Sequence, residues 1–130
     1  MVSENVVRTL FAHWENGDAH GFFEALPDNV NWTVVGKKNP LAGAYNSRDE
    51  VLGVFGQLIS KFEAPPTMKI TNLLVAGDYS VVEMDCSAKI KAGGDFFQDM
   101  CWICRYDDTN ACVYVKIYID TLEEKLLFET

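Results

Sequence analysis

Basic residues are scarce in this sequence: 11 Lys and Arg stand against 19 Asp and Glu among 130 residues, a formal net charge of −8. No basic stripe with interleaved aromatics is present, and an acidic chain repels phosphate backbones, so nucleic acid is not expected as a partner. Long apolar runs are lacking too. No stretch approaches the ~18 residues that a bilayer span needs, so no membrane partner is expected. The opening residues, MVSENVVRTLFAHWENGD, are punctuated by polar groups and read as an amphipathic helix rather than a secretory leader, which points to the cytoplasm. The Asn31-Trp32-Thr33 sequon therefore carries no weight. Repeats, linkers and low-complexity segments are missing.

Cysteines number four, at positions 86, 101, 104 and 112. Cys101 and Cys104 form a C-x-x-C, but within a β-type run an odd offset sends side chains to opposite faces, so neither a zinc site nor a redox pair is expected. Buried free thiols in a reducing compartment are the expectation. Asp107-Asp108 reads as a plain turn, and two adjacent carboxylates do not make a metal site. No metal and no organic cofactor is expected.

What is present is ordinary for one globular domain over residues 1–130: 48% hydrophobic and 23% charged residues. Ser3 is a plausible N-cap, and Val6, Val7, Leu10, Phe11 and Trp14 form one stripe at helical spacing. Gly17 stops that helix, and Asp18 caps a shorter one carrying Phe22, Phe23 and Leu26 up to Pro27. The stretch from Val30 to Phe62 organises the chain. A β-type run at 30–35 leads through a Gly/Lys/Asn/Pro loop and an apolar segment, Leu41 to Tyr45, into a helix. Ser47 and Glu50 form a capping box there, and Val51, Val54, Phe55, Leu58, Ile59 and Phe62 continue the apolar face. Pro40, Leu41 and Tyr45 are costly to leave in water, and they make sense if loop, helix and strand line an apolar cavity.

Pro65-Pro66 end helix formation, and strand patterns follow at 67–76, 79–91, 95–106 and 111–119. In the second of these Val82, Met84, Cys86, Ala88 and Ile90 alternate with Glu83, Asp85, Ser87 and Lys89. Residues 121–128 read as a short helix or a strand extension. Helices first and long antiparallel strands after them indicate α+β. Trp14, Trp32 and Trp102, with Tyr45, Phe55 and Met84, are candidates for an aromatic cage around a flat apolar ligand, against a default of core packing. His13, between Phe11 and Trp14, is a candidate general base whose default is an ordinary helix histidine.

The order of elements resembles the SnoaL-like branch of the nuclear-transport-factor-2-like superfamily, which includes ketosteroid isomerases. The resemblance rests on Trp14-Glu15-Asn16-Gly17-Asp18, on Pro40 to Tyr45 leading into Arg48-Asp49-Glu50-Val51, on Cys101 to Tyr106, and on Tyr118-Ile119-Asp120-Thr121. It implies a cone-shaped curved antiparallel sheet wrapping three N-terminal helices, an internal apolar pocket and a homodimer formed through the open sheet face. The ketosteroid isomerase base falls on Val34, the oxyanion tyrosine on Leu10 and the protonated aspartic acid on Trp102, so that machinery is not expected here. SnoaL-type cyclases carry an aspartate on the last strand, which falls on Asp120; their partner histidine has no counterpart, since His13 and His20 lie in the N-terminal helices. Within an apolar cone, desolvation would raise Asp120 into the range of a general acid or base. A regular strand sets Asp120 beside Tyr118, Lys116 and Tyr114 and opposite Ile117 and Ile119, so it reaches the pocket only through a bulge or a strand end. Two functions follow as expectations: cofactor-independent acid-base chemistry on a small apolar cyclic substrate, of the polyketide cyclase or ketosteroid isomerase-like class, with cyclase, isomerase or dehydratase-type reactions all fitting, or a binding module for a small hydrophobic ligand without catalysis.

Overall fold

Four helices and six strands are built by local signals that the chain carries in order, and the computed structural model describes all residues from 1 to 130. Helix α1 (Glu4–Glu15) starts where the Ser3 hydroxyl accepts from the Val6 N–H at 3.2 Å, and it buries Val7, Phe11 and Trp14. Helix α2 (Ala19–Glu24) follows, capped by Asp18 and burying Phe22 and Phe23. Strands β1 (Asn31–Val34) and β2 (Gly43–Tyr45) form a short antiparallel pair, and α3 (Arg48–Ile59) begins at Ser47. Then come β3 (Thr67–Ala76), β4 (Tyr79–Lys89), β5 (Asp95–Tyr106), β6 (Cys112–Tyr118) and α4 (Thr121–Phe128).

The strands make one open sheet in the order β2-β1-β6-β5-β4-β3. Register shifts at Ile70/Asn72 in β3 and opposite Arg105/Tyr106, where Val113 is the extra residue of β6, break the regular ladder; such irregularities bend a strand and increase its twist, which curves the sheet. The inner face packs against the helices, and alternation decides what faces it. In β4, Ser80, Val82, Met84 and Cys86 are buried; in β5, Phe96, Gln98, Met100, Trp102, Cys104 and Tyr106 are. Glu83 and Asp85 lie on the exposed outer face, which also leaves Tyr79, Phe97 and Tyr118 in solvent. Cys101 and Cys104 fall on opposite faces of β5, half-buried and buried respectively, and all four thiols are free.

The α+β cone with a curved, unclosed sheet is thus as expected, with two differences in the sheet and one choice between expected alternatives. The β1–β6 pairing is parallel, because the chain leaves β1 for α3 and the β3–β5 meander before it returns beside it. The Leu41–Tyr45 segment adds a three-residue strand. Residues 121–128 form a fourth helix, which folds back onto β5.

Candidate functional site

An apolar cavity sits between α3, the β1–β2 hairpin and the inner face of β3, β5 and β6. Trp32, Val34 and Tyr45 come from the hairpin strands, and Leu41 from the loop between them. Val51, Val54, Phe55 and Leu58 come from α3, Met68 from β3, Met100 and Trp102 from β5, and Ile117 and Ile119 from β6 and its end. Tyr45, Val54, Phe55 and Ile119 are only half-buried and mark the rim; Trp32, Met68, Trp102 and Ile117 are buried and form the floor. The space open to the centres of water-sized molecules is about 50 Å³, against about 150 Å³ for an engineered apolar cavity that takes up benzene.

The fourteenth lining residue is Glu124 of α4, 1% exposed and the only carboxyl in the wall. Asp120 Oδ1 accepts from the Glu123 N–H at 3.1 Å and so starts α4, and the helix turn then carries Glu124 and Leu127 inward. Across from it, Gln98 of β5 donates from Nε2 to Glu124 Oε1 at 2.9 Å. Glu124 Oε2 and Gln98 Oε1 have no partner. Burial pushes the Glu124 carboxyl up to about 7; the Gln98 hydrogen bond opposes that rise and the Glu123 charge adds to it. Cys86, within the field of Glu124, has its thiol pushed up to about 12, mainly by burial, which makes it a poor nucleophile.

Four of the six predicted cage residues line this cavity: Trp32, Tyr45, Phe55 and Trp102. Tyr45 is fixed by its own hydroxyl, which donates to the Leu41 carbonyl at 2.9 Å. Trp14 and Met84 belong elsewhere. Trp14 is the hub of a buried aromatic cluster, with ring centroids 4.9 Å from Phe22, 5.5 Å from Phe55 and 5.6 Å from Trp102. It stands behind the cavity wall. Met84 is packed inside the sheet opposite Met100, and Met100 holds the cavity position.

The two residues read as acid-base groups lie outside the cavity. Asp120 is exposed, lies two residues past the end of β6 and spends its carboxylate on the α4 cap, while Ile117 and Ile119 are the residues of this segment that line the cavity. So placed, Asp120 does not reach the apolar cavity where the sequence reading set its proton-transfer role. Asp120→Ala should cost about 1 kcal/mol through the lost cap and Asp120→Asn almost nothing, with ligand affinity unchanged in both; chemical denaturation beside a binding titration measures this. His13 is half-buried, and its Nδ1 lies 3.1 Å from Asp18 Oδ2. Asp18 also accepts from the Gly21 N–H at 2.9 Å, and this bond first, then His13, holds its carboxyl below the usual range. A Cβ at Gly21 would stand 2.2 Å from Asp18 Oδ2 and 2.6 Å from the imidazole, so the three residues make one packed helix cap. His13 is structural in this geometry.

Glu124 escaped the sequence reading because residues 121–128 carry leucines on both faces, with Leu122 and Leu126 exposed and Leu127 buried. The available signal was its spacing three residues before Leu127, a charge inside an apolar stripe.

A family model described as a SnoaL-like domain matches residues 7–112. Neither Asp120 nor Glu124 lies in the matched stretch. Among curated proteins no sequence matches. Solved structures similar to this chain include an NTF2-like protein of unknown function from Burkholderia pseudomallei, at 19% identity and TM-score 0.80 over 97% of this chain and 96% of that one. An NTF2-like protein from Burkholderia thailandensis aligns with TM-score 0.80 at 21% identity over 97% and 96% of the two chains. TerC, co-crystallised with polyporic acid, aligns with TM-score 0.79 at 15% identity over 97% of each chain. At such identities the likeness is one of fold.

Proposed function

Because this chain belongs to the SnoaL-like domain family, we propose that its cavity takes a small, neutral, mostly apolar ring compound and that Glu124 moves a proton on it. The observation that carries this reading is the Glu124 carboxyl, buried in an otherwise apolar wall with Oε2 unpartnered. A group that titrates near 7 exchanges protons at neutral pH without a large driving force in either direction. When protonated it donates to a carbonyl or phenol oxygen; when ionised it accepts a proton from carbon or oxygen. No Lys, Arg or His lines the cavity, so an anionic ligand would meet no counter-charge.

The test is a thermal-shift titration of wild type and Glu124→Gln against cyclic ketones, phenols and quinones, followed by turnover assays on the compounds that bind. Binding should stabilise both proteins, and conversion should drop by about 10²–10⁴-fold in the variant. Equal turnover by both would remove Glu124 from the chemistry. A second reading, a binding module without catalysis, is favoured by one observation: no other titratable group with a free atom lines the cavity. Tight binding by both proteins with no conversion by either would establish it.

A further inference from the structure

The cavity wall contains a weak point whose position is not accidental to access. Two of its rim residues, Val54 and Phe55, are bracketed by Gly53 and Gly56 in the middle of α3. Neither glycine is used for close packing: a Cβ added at either would meet nothing within 4 Å. Neither has the positive φ that calls for glycine. Each therefore weakens the helix without a compensating contact.

The two ends of α3 are tied down. At the start, Ser47 accepts from the Glu50 N–H, and the Arg48 guanidinium donates to the Leu26 carbonyl at 2.9 Å and pairs with Asp28. Past the end, Phe62 is buried against Phe96 at a 5.3 Å centroid distance, and the Glu63 N–H donates to the Lys89 carbonyl at 2.9 Å. A helix pinned at both ends and weakened in the middle opens in the middle.

A ring needs the rim to give way, because the space of about 50 Å³ behind it is well under the roughly 150 Å³ of an apolar cavity that takes up benzene. Glu124, with its unpartnered oxygen, is shut inside that space. We propose that the Gly53–Gly56 turn of α3 is the gate of the cavity and that Phe55 is the side chain whose displacement admits the ligand and sets its size. This rests on the reading of the cavity as a ligand site. Transient loosening of one helical turn swings Phe55 away from Trp14 and Phe23, enlarges the space toward Glu124, and closes again over the bound ring.

Gly53→Ala/Gly56→Ala fits without a clash and removes the weakness. Two such replacements in a helix lower the unwound population by roughly thirty-fold. With N-phenyl-1-naphthylamine as a neutral fluorescent probe in stopped flow, on-rate and off-rate should both fall by at least about tenfold, with Kd within about threefold of wild type. Hydrogen exchange in residues 53–57 should slow more than in β4 or β5. Phe55→Ala should raise the on-rate and admit larger analogues. Unchanged on-rates and unchanged exchange in the double alanine variant would overturn the gate while leaving the ligand site intact. A probe that fails to bind wild type and Phe55→Ala alike would overturn both the gate and the cavity reading on which it stands.

Discussion

Glu124→Gln is expected to remove a pH dependence of stability worth about 3 kcal/mol. The carboxyl titrates at about 7 in the folded chain and near its ordinary 4.5 when the chain unfolds. Below 4.5 both states hold the proton and the site is neutral in each. Between 4.5 and 7 the unfolded chain releases its proton first, so rising pH draws the equilibrium toward unfolding. Above 7 the loss is complete and the curve flattens. The wild type should therefore lose stability relative to Glu124→Gln as pH goes from 5 to 8, by on the order of 10 °C in Tm for a domain of this size. The comparison cancels every other titrating group, because the amide keeps the shape and the Gln98 contact while carrying no proton to lose. Thermal melts of both proteins across that range decide it; parallel curves would show that Glu124 is not held in a desolvated site, and the proton-transfer reading would go with it.

Removing the pair altogether sharpens the point. Glu124→Leu alone strands the Gln98 amide, and a buried donor without a partner costs about 1–3 kcal/mol. Changing both Gln98 and Glu124 to apolar residues removes that penalty, as replacement of buried polar pairs often does. An apolar double variant at least as stable as the wild type would mark Gln98 and Glu124 as a pair held at a cost to stability.

Most of the fold was legible because its signals are local and periodic. Ser3, Asp18 and Ser47 announced three helix starts, and the alternation of Val82, Met84 and Cys86 with Glu83 and Asp85 assigned the two faces of β4 before any coordinate. The cavity was legible in part. Leu41 and Tyr45, ahead of α3, line the cavity with Trp32, Phe55 and Trp102, whereas Pro40 is exposed and stays outside it. The buried carboxyl of the cavity wall was not legible. Parity within 117–120 sets Asp120 on the side opposite Ile117 and Ile119, which line the cavity. Glu124 requires knowing that α4 folds back over β5, a contact between residues 26 apart in sequence that no local pattern encodes. Trp14 and Trp102 differ for a similar reason: both are buried aromatics on inward faces, and only the packing distance separates a residue behind the wall from one on it.

That difference sets the second large effect. Trp14→Ala should cost about 3–5 kcal/mol, the range for deleting a large buried aromatic. Trp14 is 2% exposed and touches Phe22, Phe23, Phe55 and Trp102, so its loss empties the junction of α1, α2, α3 and β5 at once. Trp14→Phe should recover much of this, since it keeps a ring in the cluster and removes an indole N–H that has no acceptor. Trp102→Ala is expected to cost a similar amount in the free protein, but its void opens into the cavity. A ring-sized ligand can fill that void, so part of the lost stability should return when ligand is added. Denaturant melts of Trp14→Phe, Trp14→Ala and Trp102→Ala, with and without N-phenyl-1-naphthylamine, separate the roles. The probe should rescue Trp102→Ala by more than it stabilises the wild type, and should give Trp14→Phe only the wild-type increment. A Trp14 variant rescued as strongly as Trp102→Ala would mean that the cavity extends through the aromatic cluster, and that the wall drawn at Phe55 and Trp102 stands one layer too far out.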